Sequence, residues 1–322
     1  MKMKKVWWIV VGVVVVIVGV VWLVIANREK EVPVTDISNP ASASTEAKDT
    51  MWQVGDFAIK GNYADADLVK LADKSYRMYY SIEPEVPGNK LEMYSATSTD
   101  GVTWKQEAGT RKTMATFPDA VTLPDGRFRL YFQNAGVIKS AISADGLSWT
   151  DEAGTRIDAT NDLSLAFDNV AAETVLPLSD GSYLMVYRGT INTAYSSETP
   201  NKNTQLLLWA TSADGLSWTK KGIAVDSRNS TLEGLTDGPE LFNLNGKIQL
   251  SFWSYLGVYW TTYEAGSFST NYTNVYKGEN VNPMAKFPPN PPGDPSYATF
   301  GNNLYMYYGA HQQGIKYATR SL

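Results

Sequence analysis

The sequence contains no cysteine and a single histidine, His311, among its 322 residues. The lack of cysteine excludes a disulfide framework, a cysteine nucleophile and any cysteine-ligated zinc or iron–sulfur centre. A serine–histidine–aspartate mechanism or a multi-histidine metal site would depend on His311 alone. Basic residues are also in the minority, with 28 Lys and Arg against 33 Asp and Glu. This acidic balance argues against a nucleic-acid partner, because binding nucleic acid requires clustered positive charge.

Residues 6–26 are an uncharged, valine-rich apolar run near the N-terminus. At about 1.5 Å of rise per residue, a helix of this length spans the ~30 Å hydrocarbon core of a bilayer. Three lysines precede the run, whereas the charges after it are balanced, so the positive-inside rule predicts a cytoplasmic N-terminus. We therefore predict a single-pass protein of the cell membrane with a cytoplasmic stub (1–5), a transmembrane helix in the lipid bilayer (6–26), a flexible tether (27–50) and an extracytoplasmic domain (51–322).

A cleavable signal peptide is the alternative interpretation of this segment. Its apolar core is expected to span about 7 to 15 residues and to precede an A-x-A-like cleavage site, and the segment meets neither condition. An uncleaved anchor is therefore favoured, and both interpretations export the rest of the chain.

The region after residue 50 has no sustained 3.6-residue apolar period. It consists of short alternating runs rich in aromatic and β-branched residues, separated by Asp-Gly and Asn-Gly turns, which predicts an all-β domain. One phrase occurs five times: an acid, a short strand, a tight turn and an aromatic strand. The copies start at Asp65, Asp119, Glu173, Asp237 and Asp294.

A second motif, S-x-D-G-x-x-W, follows the first three copies and ends at Trp104, Trp149 and Trp218. Its Asp can accept backbone N–H bonds within a turn, its Gly supplies a positive φ, and its Trp can pack between neighbouring units. Turn chemistry explains every position of the motif, so we interpret it as structural rather than catalytic.

Each repeat supplies the strands of one sheet, and five such sheets arranged radially predict a five-bladed β-propeller, preceded by one N-terminal transmembrane helix. The last copy has three strands, and the Trp52 segment is predicted to provide the fourth and to close the ring. The fourth copy lacks the S-x-D-G motif and is the least regular blade.

The first strand of each blade lines the axis of a propeller, so five acids that open these strands should meet at one funnel. Clustered carboxylates have raised pKa values, and a pair with one protonated and one ionised member is what glycoside hydrolysis requires. Abundant aromatic residues, including 19 Tyr and 10 Trp, suit stacking on sugar faces. Capping of strand-entry turns by these acids is the structural alternative.

These repeats resemble those of the five-bladed propeller glycoside hydrolases, which include arabinanases, β-xylosidases, invertases and levansucrases. The most specific phrases are D-P-S at Asp294, F-P-D at Asp119, which is close to the family's A-P-D, and D-G-P-E-L-F-N-L-N-G from Asp237. The resemblance implies that Asp65 is the base or nucleophile, Glu173 the carboxylate that tunes pKa values, and Asp237 the general acid.

Two of these positions depart from the family, which has Asp in place of Glu173 and Glu in place of Asp237. Glu240 is therefore an alternative acid, and Asp67 an alternative base. The resemblance also implies that no cofactor is required and that His311 lies at the base of the funnel, touching substrate or contacting a calcium ion through water. Further candidates for sugar contacts are Asp67, Asp119, Asp294, Arg188 and Trp253.

Three functions remain in view. The leading one is an exported, membrane-anchored glycosidase that acts on furanosides or xylosides. A non-catalytic propeller that binds glycan or protein at the cell surface is the alternative. A sialidase ranks lower, because sialidases space the box as S-x-D-x-G-x-x-W, have six blades and use three arginines.

Overall fold

A computed structural model describes residues 51–84, 86–161, 163–279 and 285–322. The predicted cytoplasmic stub, transmembrane helix and tether (1–50) lie outside the described residues. Within the described ranges, no helix is long and apolar enough to cross a membrane.

The described residues form five antiparallel sheets, as predicted for a five-bladed β-propeller. The chain begins with β1 (Gln53–Lys60). Blade 1 comprises β2 (Tyr63–Lys70), β3 (Tyr76–Ile82), β4 (Glu92–Ser98), β5 (Lys105–Gln106) and β6 (Lys112–Thr113). Blade 2 comprises β7 (Thr116–Thr122), β8 (Phe128–Asn134), β9 (Val137–Ser143) and β10 (Thr150–Asp151). Blade 3 comprises β11 (Phe167–Pro177), β12 (Tyr183–Ile191), β13 (Thr204–Ser212) and β14 (Thr219–Val225).

The last two blades complete the domain. Blade 4 comprises β15 (Asp237–Leu244), β16 (Lys247–Ser254), β17 (Gly257–Glu264), β18 (Ser267–Phe268) and β19 (Thr273–Tyr276). Blade 5 comprises β20 (Gly293–Phe300), β21 (Asn303–Gly309) and β22 (Gly314–Ser321). The inner strands β2, β7, β11, β15 and β20 contact one another in sequence, and β20 contacts β2, so they form a closed ring around the axis.

The first strand of the domain completes the last blade. Strand β1 pairs antiparallel with β22 and becomes the outer strand of blade 5, with Gln53 opposite Thr319 and Lys60 opposite Gly314. Trp52 itself is buried against Trp260 and Tyr297, at the contact between blades 4 and 5. The predicted closure is confirmed, and it covers the free edge that the three-stranded last repeat would otherwise expose.

The sheets stack face to face, so the middle strands are buried on both sides. In β3, Met78 and Tyr80 pack toward blade 5, whereas Tyr79 packs toward Leu130 of blade 2. A strand that is buried on both faces is a nearly continuous apolar run, which explains sequences such as YRMYYS in this strand.

The three S-x-D-G-x-x-W motifs have the predicted structural role. In the second one, Asp145 Oδ1 accepts the backbone N–H groups of Leu147 and Ser148 at 2.8 and 2.9 Å, and Gly146 has a φ of +71°. These bonds lower the pKa of Asp145 to about 2.

Each of these motifs also joins two blades. A buried tyrosine of the preceding blade donates its hydroxyl hydrogen bond to the glycine carbonyl of the motif, and its ring meets the motif's tryptophan edge to face. The hydroxyl–carbonyl pairs are Tyr79 with Gly146 (2.7 Å), Tyr131 with Gly215 (2.8 Å) and Tyr307 with Gly101 (2.7 Å).

Blade 4, the least regular repeat, has a divided outer edge. Both β18 and β19 are short, and both pair with β17. Aromatic side chains take the place of the missing motif at its contact with blade 3, where Trp209 meets Tyr263 and Phe268.

Candidate functional site

Every inner strand contains a β-bulge at the same level of the axis. The pairing of each inner strand with its neighbour shifts by one residue there, as between Ala64 and Asp67 in β2. The first bulge residue has a positive φ of 45° to 54° in all five strands. These residues are Asp65, Phe117, Ala172, Gly238 and Asp294.

The five acids that open the repeats, which the sequence predicts to meet at one funnel, do not occupy equivalent positions relative to these bulges. Asp65 and Asp294 are bulge residues, Glu173 follows the bulge residue by one, Asp119 follows it by two, and Asp237 precedes it. A bulge adds one residue to its strand. The first acid of a repeat does not show where that extra residue lies, so repeats matched at this acid are out of register at the bulge. A proline directly after the bulge residue in three blades would have given the register: Pro118, Pro239 and Pro295.

The residues two positions after each bulge residue form a polar ring across the axis. They are Asp67, Asp119, Thr174, Glu240 and Ser296. Asp67 Oδ2 accepts the backbone N–H of Ala120 in the next blade at 2.8 Å, and Thr174 Oγ1 accepts that of Leu241 at 3.0 Å. Glu240 accepts hydrogen bonds from Thr174 Oγ1 at 3.3 Å and from Ser296 Oγ at 3.2 Å, in the two neighbouring blades. Asp67 and Glu240 therefore both join blades.

Six acids line a small chamber on the axis, and three of them, Asp67, Asp119 and Glu240, also line a second and larger cavity. The volume of the small chamber is about 30 Å³, which is room for a few water molecules at the roughly 10–15 Å³ that one of them needs, and is far below the ~300 Å³ of a usual ligand pocket. The acidic lining residues are Asp65, Asp67, Asp119, Glu173, Glu240 and Asp294. Six of the predicted site residues thus lie together, and Gly238, next to Asp237, lines the same chamber.

Burial dominates the electrostatics of this chamber. It raises the pKa of Glu173, which is 5% exposed and whose two carboxylate oxygens accept no hydrogen bond from the described side chains or backbone of other residues. Burial and the charge of Asp67 raise the pKa values of Asp119 and Glu240 well above normal. Burial also raises the pKa of Asp294 to about 7, with a further contribution from Asp237.

Arg188 and Trp253 each contact an acid of an inner strand. The Arg188 guanidinium donates through Nη1 to Asp237 Oδ2, and both side chains are buried. Trp253 Nε1 donates to Asp294 Oδ1 at 3.2 Å. The positive charge of Arg188 also lowers the pKa values of Glu173 and Asp294, against the larger effect of burial. Both residues are thus bound to acids of the inner strands, and their contacts with a sugar stay a prediction.

Three of the acids could hold a cation. One carboxylate oxygen from each of Asp67, Asp119 and Glu240 lies within 4.8 Å of the others, and carboxylate oxygens are ligands that Ca²⁺ prefers. The buried Oδ2 of Asp119 accepts no hydrogen bond within the described part of the chain, which leaves it available to an ion. The donor set therefore fits a calcium ion.

His311 lies elsewhere. It belongs to the turn between β21 and β22, its side chain is 44% exposed, and it lines a surface cleft with Pro289 and Lys316 rather than the acid chamber. Its Nδ1 is 3.6 Å from Oε1 of Glu83, a buried acid that the sequence analysis missed. Glu83 also accepts the backbone N–H of Gln312 at 3.2 Å and so holds this turn.

Comparisons with known proteins show the fold. No family model matches the sequence, and no curated protein matches it either. Among solved structures, a putative glycoside hydrolase from Parabacteroides distasonis is 13% identical, with a TM-score of 0.60 over 81% of this chain and 87% of that one. The GH43_1 enzyme from Xanthomonas citri is also 13% identical, with a TM-score of 0.58 over 84% and 91%.

A third structure comes from the GH130 family of mannoside phosphorylases, which contains glycoside hydrolases that target β-1,2 mannosidic linkages in Candida mannan. It is 14% identical and has a TM-score of 0.55 over 90% of this chain and 96% of that one. These similarities confirm the predicted resemblance to the five-bladed propeller glycoside hydrolases at the level of the fold.

Proposed function

We propose that the protein is a glycoside hydrolase whose active site is the acid chamber. The observation that carries the proposal is the convergence of Asp65, Glu173 and Asp294 on one axial chamber, where burial raises the pKa values of Glu173 and Asp294. Glycoside hydrolysis uses one protonated and one ionised carboxyl group at a fixed separation. Raised pKa values provide the protonated partner at neutral pH.

Asp65 acts as base or nucleophile in this proposal, and Glu173 holds the proton. The resemblance implied that Asp237 is the acid and Glu173 the tuning carboxylate. However, Asp237 Oδ2 is already bound by Arg188, whereas the oxygens of Glu173 are not engaged by other described residues. We therefore assign proton donation to Glu173, with Asp237 positioning Arg188. Glu240, the alternative acid, and Asp67, the alternative base, belong to the polar ring and are engaged in hydrogen bonds between blades.

The direct test is hydrolysis of nitrophenyl glycosides, with furanosides and xylosides foremost. The wild-type protein should release nitrophenol from at least one of them, and Asp65→Asn and Glu173→Gln should each lower kcat by at least about 100-fold. Asp180→Asn, at an exposed turn, is the matched control. Full activity in both chamber variants would refute the assignment.

The small volume of the chamber favours a second candidate, a non-catalytic propeller that binds glycan or protein at the cell surface. About 30 Å³ does not admit a sugar in the observed arrangement. Binding on a glycan array without turnover, even after long incubation, would select this function over hydrolysis.

Two further assignments belong to the proposal. Residues 6–26 would cross the bilayer and hold the domain outside the cytoplasm. Protease added to intact cells should then digest the domain but spare the N-terminal stub.

A calcium ion would be held by Asp67, Asp119 and Glu240, without His311, and would neutralise part of their charge. If so, Ca²⁺ should raise the melting temperature, and Asp119→Asn should remove that effect.

A further inference from the structure

Phe117 adopts a backbone conformation that suits no aromatic residue. Its φ is +52°, in the left-handed region, where a bulky side chain is a steric outlier and Gly, Asn or Asp is tolerated. Asp65, Ala172, Gly238 and Asp294 occupy the same place in the other blades, and all are smaller. Strain of this kind is retained where surrounding contacts enforce it, and it is concentrated at functional sites.

The contacts of the Phe117 ring explain what enforces this conformation. The ring packs against Ala171 and Ala172 of the next blade and is 9% exposed. Its centroid lies 5.4 Å from Cζ of Arg188, within the range of a cation–π interaction. Since Arg188 also binds Asp237, the ring and the ion pair form one packed unit, of which Phe117 lines the chamber.

The same ring limits the space in front of the acids. Phe117 lines the acid chamber together with Asp65, Glu173 and Asp294. The equivalent bulge residues Ala172 and Gly238 bring almost no side-chain volume to this level. Phe117 is therefore the bulkiest of the five bulge residues, and its ring takes up more space in front of the acids than the side chain of any other bulge residue.

We propose that Phe117 determines the specificity of this site by closing the acid chamber. In the observed position the chamber takes only water-sized guests, and a glycosyl residue enters when the ring leaves Arg188. The remaining space then favours a pentosyl residue over a hexosyl residue, which carries an additional hydroxymethyl group. This preference rests on the proposed hydrolysis, whereas the closure of the chamber does not.

The test uses Phe117→Gly, which removes the ring and also suits the positive φ. Met114→Gly is the matched control, because Met114 has a φ of +55° in the same segment but its side chain is 63% exposed. Phe117→Leu is a second variant that keeps an apolar side chain if the glycine variant fails to fold. Thermal unfolding verifies that each variant is folded.

The first readout is independent of activity. Carbodiimide-driven coupling of glycine ethyl ester to Glu173, followed by mass spectrometry, reports whether reagents reach the chamber. We expect at least tenfold faster labelling in Phe117→Gly, an intermediate rate in Phe117→Leu, and the wild-type rate in Met114→Gly. Wild-type labelling in folded Phe117→Gly or Phe117→Leu would overturn the closure.

The second readout is the ratio of kcat/KM for nitrophenyl β-xyloside and β-glucoside, two substrates that differ by the hydroxymethyl group. The ratio should fall at least tenfold in Phe117→Gly and stay at the wild-type value in Met114→Gly. An unchanged ratio would refute the size selection. Faster labelling without hydrolysis by any variant or the wild type would support closure by Phe117 and refute the proposed hydrolase.

Discussion

Arg188 Nη1 donates to Asp237 Oδ2, and the two side chains are only 11% and 4% exposed. Removing one partner of a buried pair leaves an uncompensated charge, which costs about 3–5 kcal/mol. Asp237→Ala should therefore lower the free energy of unfolding by about that amount, as measured by urea denaturation.

The exposed pair Asp125–Arg127 provides the control for that prediction. Its side chains are 50% and 51% exposed, and exposed pairs contribute about 0–1 kcal/mol. If Asp237→Ala lowers the free energy of unfolding no more than Asp125→Ala does, the buried pair does not stabilise the protein in the way we describe.

Asp294 should make the stability of the protein depend on pH in an unusual direction. Its pKa rises from 3.8 to about 7 on folding, so the folded state binds more protons than the unfolded state between those values. Stability contributed by this group is therefore full below about pH 4 and is lost as the pH rises to about 7.

Asp294→Asn removes this titration and suits the positive φ of 45°. Its free energy of unfolding should match the wild type near pH 4, exceed it increasingly up to about pH 7 and then exceed it by a constant amount, in urea titrations from pH 4 to 8. Parallel pH profiles for the two proteins would contradict the raised pKa.

The contacts between blades should depend on the buried tyrosine hydroxyls. Tyr131→Phe leaves the carbonyl of Gly215 without its 2.8 Å donor, which should cost about 1–2 kcal/mol of stability. Tyr305→Phe, in the half-buried part of β21, should change stability by less than about 0.5 kcal/mol. Equal effects in denaturation would show that the hydroxyl bond adds nothing to the contact between blades.

The propeller was predictable because its signals have fixed spacing. The S-x-D-G-x-x-W motif encodes a complete local turn, so Asp145 and Gly146 could be assigned their roles from the sequence alone. Ring closure by the Trp52 segment was predictable for a similar reason, since a three-stranded last repeat requires a fourth strand from elsewhere.

The site was predictable only in part. The acids that meet at the axis could be named from the sequence. Their levels are shifted by the extra residue of each β-bulge, and a proline marks that residue in only three of the five blades. The roles of Phe117 and Glu83 had no signal in a single sequence. The first depends on a positive φ, and the second on the packing of a distant turn.

A variant of Glu173 tests the central claim most directly. A carboxyl group that is buried in the chamber for catalysis should lower the stability of the folded protein when it ionises. Burial raises its pKa, so the ionised form destabilises the folded protein increasingly as the pH rises above about 4.5. Glu173→Gln keeps the shape of the side chain and removes the charge.

The decisive measurement is the pair of melting temperature and kcat for Glu173→Gln at pH 7 to 8, beside the wild type. The account predicts a higher melting temperature together with a loss of hydrolysis of at least about 100-fold. A variant that keeps wild-type hydrolysis would contradict it, whether or not its melting temperature rises.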